Sequence, residues 1–504
     1  MDQHYLTPLF APRSIVVFAG TTQDSAPAAP AEAPPGPALG AAAVLQALKA
    51  QRFKGTLQFF DTQTRGTLAD LVQVQADLAI IALPPEEVSA AIELAARMAC
   101  QAVMVLASGI GREQAQQWHK QARREGLYLL GPNCLGFQRP ALGLNAGTVG
   151  PLANTGPLAL VSQSGALTAS MLDWAPKNGV GFSSVISLGP HASVGLAEAL
   201  DFLANDPQTQ SILVYMEGIS DARRFMSALR SAANAKPVIV LKAGRRAAGN
   251  AAAQTHSAAI VGQDEVFDAA LRRAGAVRVK SFVEMFSAAK CLASRYRPVG
   301  KRLAIVTNGG GPGVLAADWI NEIDLQLGTL SPDSASALQA QLLPQASLVD
   351  LIDLSEDAGP GHYQAAIQAA NRDTGIDGLL VIYSPKMGQD PAAVAQAVAA
   401  AKSGLSKPLL TCWMGDAAVV AARGVLKDAN IPSFRTPEAA VGAFGSLSSF
   451  YQNQKLLQQT PPPLSTLAKP DIEGARLVIE SVLAERRKVL TEMESKSLLS
   501  AFHI

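Results

Sequence analysis

The chain has 504 residues, more than one domain normally holds, and its length predicts three or four domains. A hydrophobic content of 48 % is enough for several buried cores. The formal net charge of +1 argues against nucleic acid or an anionic membrane as a partner, since both attract strongly basic proteins.

The distribution of apolar residues and cysteines narrows the class of protein further. No apolar run reaches transmembrane length, and residues 1–10 do not have the character of a signal peptide. The four cysteines are scattered without CxxC spacing, which argues against a zinc site or a disulfide framework and fits a reducing compartment. We therefore expect a cytoplasmic protein without a metal site.

The first 150 residues alternate short apolar runs with helical patterns, which predicts a parallel, doubly wound sheet. A glycine turn at Gly20, Thr21 and Thr22 follows the first run and could bind phosphate. An insertion with five prolines at 26–38 interrupts this signal. The predicted strands are Ser14–Phe18, Leu57–Phe60, Leu78–Leu83, Ala102–Leu106 and Leu127–Leu130.

A second series follows a predicted linker at 151–157. A strand at 158–161, the turn Ser162, Gln163, Ser164 and Gly165, and a helix at 166–174 are predicted in succession. Free N–H groups at the start of that helix could bind an anion. A serine-capped helix without a ligand has the same pattern, and both interpretations stay open.

Two polar residues follow later strands of this second series. Glu217 ends a strand at 212–216, and His256 lies beyond a strand at 237–241. The carboxyl ends of parallel strands meet at one edge of a sheet, so the two residues could meet there. Taken singly, each has a simpler interpretation: a surface histidine and a solvated loop acid.

A third series begins after residue 300. Strands are predicted at 303–306, 379–383 and 409–413, with the glycine turn TNGGGPG at 307–313 and a helix at 314–321. The turn could bind phosphate or simply be a compact connection. A proline-rich linker at 458–470 precedes a helix predicted over 477–502.

Five motifs resemble, in order, those of the nucleoside-diphosphate-forming acyl-CoA synthetases, a family related to succinyl-CoA synthetase. They are GPNCLG at 131–136, SQSGAL at 162–167, YMEGISDARRF at 215–225, THSAAIVG at 255–262 and TNGGGPG at 307–313. The tracts at 171–189 and 221–233 are also similar to a synthetase-like region that precedes the GNAT domain of bacterial protein lysine acetyltransferases.

The resemblance implies an α/β fold with four parts. These are a Rossmann-like CoA-binding domain at 1–150, two flavodoxin-like, succinyl-CoA synthetase-like domains with doubly wound parallel sheets at 151–298 and 299–456, and a linker with the start of a truncated ATP-grasp region at 457–504.

The resemblance also implies a reaction and its residues. Acyl-CoA, phosphate and ADP would give a carboxylic acid, CoA and ATP through an acyl phosphate and a phosphorylated His256, with Glu217 as its partner. Phosphate would bind at Ser162, Gln163, Ser164 and Gly165. CoA or acyl-CoA would bind at Gly20, Thr21, Thr22, Pro84, Ser108, Asn133 and Cys134.

Partners follow from the same resemblance. ADP or ATP with Mg would bind only through an ATP-grasp domain, in trans or downstream, and a homo-oligomer is implied. Three departures from the family pattern stand out: the insertion at 26–38, Ser257-Ala258 after the histidine, and Asp350-Leu351 before Ile352-Asp353. The interrupted glycine turn, the truncated ATP-grasp resemblance and the similarity to the acetyltransferase region favour an alternative. In it, the chain is a regulatory CoA or acetyl-CoA sensor of a GNAT acetyltransferase with little or no ligase activity.

Overall fold

Three sheets organise the chain up to Leu457 in a computed structural model that describes residues 3–19, 44, 46–48, 53–61, 75–189, 193–249, 263–292, 300–459 and 469–504. Residue contacts divide the chain into two units, Met1–Leu457 and Gln458–Ile504. Among the described residues, no helix combines the length and the apolar character needed to cross a membrane.

The first sheet is entirely parallel, with the strand order β2-β1-β3-β4-β5. The predicted strands are confirmed to within two residues. Every residue of the central strand Leu78–Ala82 is buried, as expected for a parallel strand covered by helices on both faces. The elements are β1 (Ser14–Ala19), β2 (Thr56–Asp61), β3 (Leu78–Ala82), β4 (Ala102–Val105) and β5 (Tyr128–Leu130), with α1 (Thr7–Phe10), α2 (Pro85–Arg97) and α3 (Arg112–Arg124).

The second sheet has the strand order β12-β11-β10-β8-β9-β6-β7. Its strands are β6 (Gly136–Arg139), β7 (Leu144–Gly147), β8 (Thr155–Ser162), β9 (Phe182–Ser187), β10 (Ser211–Met216), β11 (Val238–Lys242) and β12 (Val277–Val279). Its helices are α4 (Gly165–Lys177), α5 (Leu196–Asn205), α6 (Ala222–Ala235), α7 (Asp264–Arg273) and α8 (Phe282–Leu292), with a 3-10 turn at Pro140–Leu142.

The strand β6 pairs antiparallel with both of its neighbours, β7 and β9. The other strand pairs of this sheet are parallel. Gly136 faces Gly147 in the ladder, where a Cβ on Gly136 would lie 2.1 Å from the Ala146 carbonyl oxygen. These strands precede residue 150, so hydrogen bonding does not divide the chain there; the domain bounds given above stay a prediction. The predicted linker at 151–157 is too long, because β8 already begins at Thr155.

The third sheet is parallel, with the order β14-β13-β16-β17-β18. The short strand β15 also pairs with β13, nearer the carboxyl end of β13 than the residues that pair with β14. Its strands are β13 (Arg302–Thr307), β14 (Gln326–Leu327), β15 (Ile352–Asp353), β16 (Gly378–Tyr383), β17 (Leu409–Trp413) and β18 (Ser433–Phe434). Its helices are α9 (Gly310–Glu322), α10 (Pro332–Gln339), α11 (Pro360–Arg372), α12 (Pro391–Ala401), α13 (Val420–Asp428) and α14 (Pro437–Gln458), with 3-10 turns at Lys402–Gly404 and Ala417–Val419.

The faces of neighbouring sheets share buried cores. One cluster joins Ile80 of β3 to Val161 and Val214 of the second sheet. Another joins Leu160 on the opposite face of β8 to Ile305 of β13. Continuous apolar burial from one sheet to the next stabilises the arrangement of β8, whose carboxyl end carries the candidate site.

The described part of the second unit, residues 469–504, contains two helices, α15 (Ile472–Ala484) and α16 (Glu492–Ala501), so the single helix predicted over 477–502 is wrong. The chain turns at Arg486, whose φ is +57°. Thr491 then starts α16 through a capping box: its hydroxyl accepts from the Glu494 N–H, and the Glu494 carboxylate accepts from the Thr491 N–H.

Candidate functional site

The turn after β8 is stabilised by its own hydroxyl groups. Ser162 Oγ donates to the Ser164 carbonyl (2.9 Å) and accepts from the Ser164 N–H (3.1 Å), while Ser164 Oγ caps α4 by accepting from the Leu167 N–H (3.3 Å). The N–H groups of Gly165 and Ala166 then have no hydrogen-bond partner among the residues described. The positive end of a 13-residue helix therefore presents two donors that could bind an anion.

Gln163 points away from these donors. Its N–H donates to the Tyr215 carbonyl (3.2 Å), and its side-chain oxygen accepts from the N–H groups of Glu217 (2.7 Å) and Gly218 (3.2 Å). Its Nε2 donates to the Gly218 carbonyl (3.0 Å). The side chain therefore joins the β8 turn to the segment that follows β10, a contact that the sequence analysis did not predict.

Glu217 lies at the carboxyl end of β10, beside β8, where Ser162 pairs with Tyr215 in the sheet register. It is 8 % exposed, so its interpretation as a solvated loop acid is wrong. The Tyr215 hydroxyl donates to its Oε1 at 3.5 Å. Burial, together with the negative charge of Glu217 and this hydrogen bond, raises the pKa of the Tyr215 phenol to about 12.

The sequence analysis missed Tyr215, although a signal existed. Residues two apart in a strand share a face, so the spacing alone places the side chains of residues 215 and 217 on the same face. Its hydroxyl, with a pKa of about 12, is protonated at physiological pH. The carboxylate therefore keeps a neutral donor beside it.

A second missed residue is Lys242, the last residue of β11, which is 5 % exposed. Its ammonium donates to the Ala243 carbonyl and lies 5.7 Å from the centre of the Phe267 ring. Burial lowers the pKa of Lys242, and the Asp264 carboxylate opposes that shift. The side chain places a buried cation at the sheet edge that also holds Glu217.

The predicted phosphohistidine, His256, lies outside the described residues, as do Gly20, Thr21, Thr22 and the insertion at 26–38. The described elements on either side of His256 are the strand β11 and the helix α7. The strand β11 ends at Lys242, and α7 begins at Asp264. Arg278 on β12 binds Asp264 Oδ1 at 2.5 Å and fixes the start of α7.

The described residues predicted to bind CoA lie at the carboxyl edge of the first sheet. Pro84 follows β3 and Ser108 follows β4, and both are exposed. Asn133 follows β5, and its side-chain amide binds both the N–H (3.0 Å) and the carbonyl (2.8 Å) of Ile110. Pro84 and Ser108 are thus accessible to a ligand, whereas the Asn133 amide holds the loop after β4.

The Cys134 side chain is buried and points into the protein. Its Sγ donates to the Val105 carbonyl at 3.7 Å, and burial raises the pKa of the thiol to about 11. A ligand at this position would therefore contact the Cys134 backbone rather than its thiol.

Leu135 brings the predicted CoA loop against the predicted phosphate turn. A Cβ on Gly165 would lie 2.5 Å from Leu135 Cδ1, closer than real contacts allow. The loop also approaches Gly189, where a Cβ would lie 2.4 Å from the Pro132 carbonyl oxygen. The segment 131–135 and the start of α4 therefore form one continuous surface, with Glu217 connected to it through Gln163.

Three stretches of the chain match known domain families. Residues 56–140 match a CoA binding domain, residues 155–292 a succinyl-CoA ligase-like flavodoxin domain, and residues 303–457 a ligase-CoA domain. The matches therefore include most strands of each of the three sheets, with β1 and β7 outside the matched ranges.

Relatives of known activity share about a third of their residues with this chain. Acetate–CoA ligase [ADP-forming] I of Archaeoglobus fulgidus is 34 % identical over 380 residues, which are 74 % of this chain and 54 % of that protein. Acetate–CoA ligase [ADP-forming] I subunit alpha of Pyrococcus furiosus is 34 % identical over 382 residues, which are 74 % of this chain and 82 % of that subunit. The chain thus spans about half of one relative and most of the other.

A solved structure agrees with this relationship. The apo form of dinucleotide forming Acetyl-coenzyme A synthetase 1 of Ca. Korarchaeum cryptofilum superposes with a TM-score of 0.79 at 26 % identity, covering 92 % of this chain and 100 % of that one. By sequence and by fold, the chain belongs to the family of ADP-forming acetate–CoA ligases.

Proposed function

We propose that this chain is the CoA-binding and phosphohistidine part of an ADP-forming acyl-CoA ligase. The reaction is acyl-CoA + phosphate + ADP = carboxylic acid + CoA + ATP, with acetate as the acid by analogy with the named relatives. The observation that carries the proposal is the buried Glu217 carboxylate, joined through Gln163 to a helix start whose first two N–H groups have no partner in the part of the chain that the structure describes.

The first step takes place between the segment 131–135, which is predicted to bind CoA, and the turn Ser162–Gly165. A phosphate oxygen attacks the thioester carbonyl carbon, the C–S bond breaks, and the CoA sulfur leaves as a thiolate that takes up a proton. Phosphate held by the N–H groups of Gly165 and Ala166 would face a thioester lying along the segment 133–135. The contact of Leu135 with Gly165 supports this proximity.

The second step moves the phosphoryl group to His256. A neutral imidazole nitrogen attacks phosphorus, the bond to the acyl oxygen breaks, and the carboxylate leaves. Glu217 accepts a hydrogen bond from the other ring nitrogen, which selects the tautomer and stabilises the positive charge on the ring. A related synthetase structure was solved with phosphate and ADP, which supports the use of these two substrates.

The third step passes the phosphoryl group to ADP and requires an ATP-grasp domain with Mg. The Pyrococcus furiosus relative is named as a subunit alpha, which supports a partner chain that supplies this domain. The alternative, a CoA sensor attached to a GNAT acetyltransferase, rests on sequence resemblance alone, because the relatives named above are ligases and synthetases.

The test is a half-reaction without nucleotide. The purified chain is incubated with acetyl-CoA and radiolabelled phosphate, and acid-labile, base-stable label on protein is measured. We expect label that is lost in His256→Ala, while the affinity for CoA stays within about threefold, or ~0.7 kcal/mol. A chain that binds acetyl-CoA in calorimetry but takes up no label, alone or with an ATP-grasp partner, would favour the sensor.

A further inference from the structure

The side-chain amide of Gln163 hydrogen-bonds to the backbone of Glu217 and Gly218. Its oxygen accepts from two successive N–H groups, those of Glu217 and Gly218, and its nitrogen donates to the Gly218 carbonyl. A fourth hydrogen bond comes from its own N–H, which donates to the Tyr215 carbonyl. The segment 215–218 is therefore bonded to one residue of the β8 turn at four points.

These contacts leave Gln163 poorly suited to bind phosphate itself. A phosphate dianion needs hydrogen-bond donors, and the backbone donor of Gln163 and one of its two side-chain donors are already occupied. The backbone N–H groups of the turn that have no partner among the described residues belong to Gly165 and Ala166. The amide therefore has a different task from the residues beside it.

We propose that Gln163 is a positioning residue: it locks the backbone of Glu217 to the β8 turn, so that the carboxylate and the helix N-terminus keep a constant separation during phosphoryl transfer. This rests on the proposed function, in which Glu217 orients His256 and the helix start binds the phosphoryl group. The bonds act on main-chain atoms of Glu217 and leave both carboxylate oxygens free of Gln163. The Tyr215 hydroxyl then limits rotation of the side chain.

A matched control exists in the same sheet. Gln138 on β6 is buried, whereas Gln163 is half-buried, but it too makes three side-chain bonds to backbone: its Nε2 donates to Gly150 (3.2 Å) and Pro151 (3.0 Å), and its Oε1 accepts from the Ala153 N–H (3.0 Å). It holds a segment that does not include Glu217. Gln138→Ala therefore removes the same chemistry without affecting the proposed catalytic carboxylate.

The experiment compares Gln163→Ala with Gln138→Ala in the full-length chain. Both variants should lower the midpoint of urea unfolding. Only Gln163→Ala should slow labelling from acetyl-CoA and phosphate, by about 10- to 100-fold, because a small displacement of a catalytic group has effects of that size. The phosphate concentration at half-maximal rate should stay within about twofold, since the phosphate donors are intact. Gln163→Asn keeps a shorter amide and should fall between wild type and Gln163→Ala.

Amide hydrogen exchange gives a readout that does not need turnover. Gln163→Ala should lose protection at residues 217 and 218, and Gln138→Ala should not. Equal slowing by the two alanine variants, or a rise in the half-saturating phosphate concentration with an unchanged maximal rate, would overturn the positioning role. Absence of label from the wild-type chain with an ATP-grasp partner would instead reject the proposed function, and unchanged exchange at 217–218 would reject the lock itself.

Discussion

The turns that follow β8 and β13 are built in the same way but carry different residues. Thr307 Oγ1 donates to the Gly309 carbonyl (2.8 Å) and accepts from the Gly309 N–H (3.1 Å), just as Ser162 does with Ser164. The Asn308 amide binds the N–H (2.8 Å) and the carbonyl (2.9 Å) of Ser384, as Gln163 binds the segment after β10.

The sheet registers make the two turns equivalent position by position. Ser162 pairs with Tyr215 in the second sheet, and Thr307 pairs with Ile382 in the third. Two residues further along, the second sheet has Glu217 and the third has Ser384. The fold therefore specifies the shape of the turn and its amide bridge, and the residue at this one position decides whether a carboxylate is present.

The largest expected effect tests that position directly. Glu217→Gln removes the negative charge that would orient and stabilise the histidine, and it should slow labelling by about 10²-fold or more. Ser384→Ala, at the equivalent position, should change the rate by no more than about threefold, because the Ser384 hydroxyl makes a weak 3.9 Å hydrogen bond to Met414 Sδ. If both variants label at the same rate, the Glu217 carboxylate is not the functional difference between the two turns.

The next effect concerns the first helical residue of each turn. Gly165→Ala places a Cβ 2.5 Å from Leu135 Cδ1, whereas Gly310→Ala places one 3.5 Å from Asp353 Oδ2, an ordinary contact. We expect Gly165→Ala to reduce the free energy of unfolding by about 1–3 kcal/mol, and Gly310→Ala to change it by ~0.5 kcal/mol or less. Urea denaturation measures both.

A double variant separates this clash from other effects of the added methyl group. Leu135→Ala removes the atoms that Gly165→Ala would meet, so the two changes together should cost less than the sum of the single changes. Additive losses of unfolding free energy would show that Leu135 and Gly165 are not in contact in solution.

The smallest expected effect comes from Tyr215→Phe, since Ile382 at the equivalent position has no hydroxyl. Loss of one hydrogen bond to the Glu217 carboxylate should slow labelling by roughly three- to tenfold, equivalent to about 1 kcal/mol. Because the folded-state pKa of Tyr215 is raised to about 12, its contribution to stability is complete below the usual tyrosine pKa and is lost as pH rises through about 12.

The rate ratio of wild type to Tyr215→Phe should therefore stay constant between about pH 7 and 9. Tyrosinate absorbance can be followed as the pH is raised. The variant should have one phenol fewer than wild type that titrates near pH 12. A ratio that changes with pH in the neutral range would mean that another group titrates beside Glu217.

Many strands and turns of this chain could be placed from sequence. Central parallel strands are buried on both faces, so they are continuous apolar runs such as LAIIA at 78–82 and LLVIY at 379–383. The boundaries of α15 and α16 were missed although Thr491 and Glu494 have capping-box spacing. These features depend on residues close together in the chain, which is why sequence patterns can reveal them.

Contacts between distant segments could not be predicted from sequence. The hairpin β6–β7 joins the second sheet through a close approach of Gly136 and Gly147, and strand pairing of that kind leaves little trace in local sequence. Likewise, SQSG is typical of both an anion site and an ordinary capped helix. The direction of the Gln163 amide depends on which strand lies beside β8.

Local patterns of apolar and turn residues were enough to predict the alternation of strands and helices and to place Glu217 and the Ser162–Gly165 turn at strand ends. The burial of Glu217, its connection to Gln163 and the packing of Leu135 on Gly165 became visible only in the folded chain. Those results depend on sheet order and register, which bring residues more than 50 positions apart, such as 163 and 217, into hydrogen-bond distance.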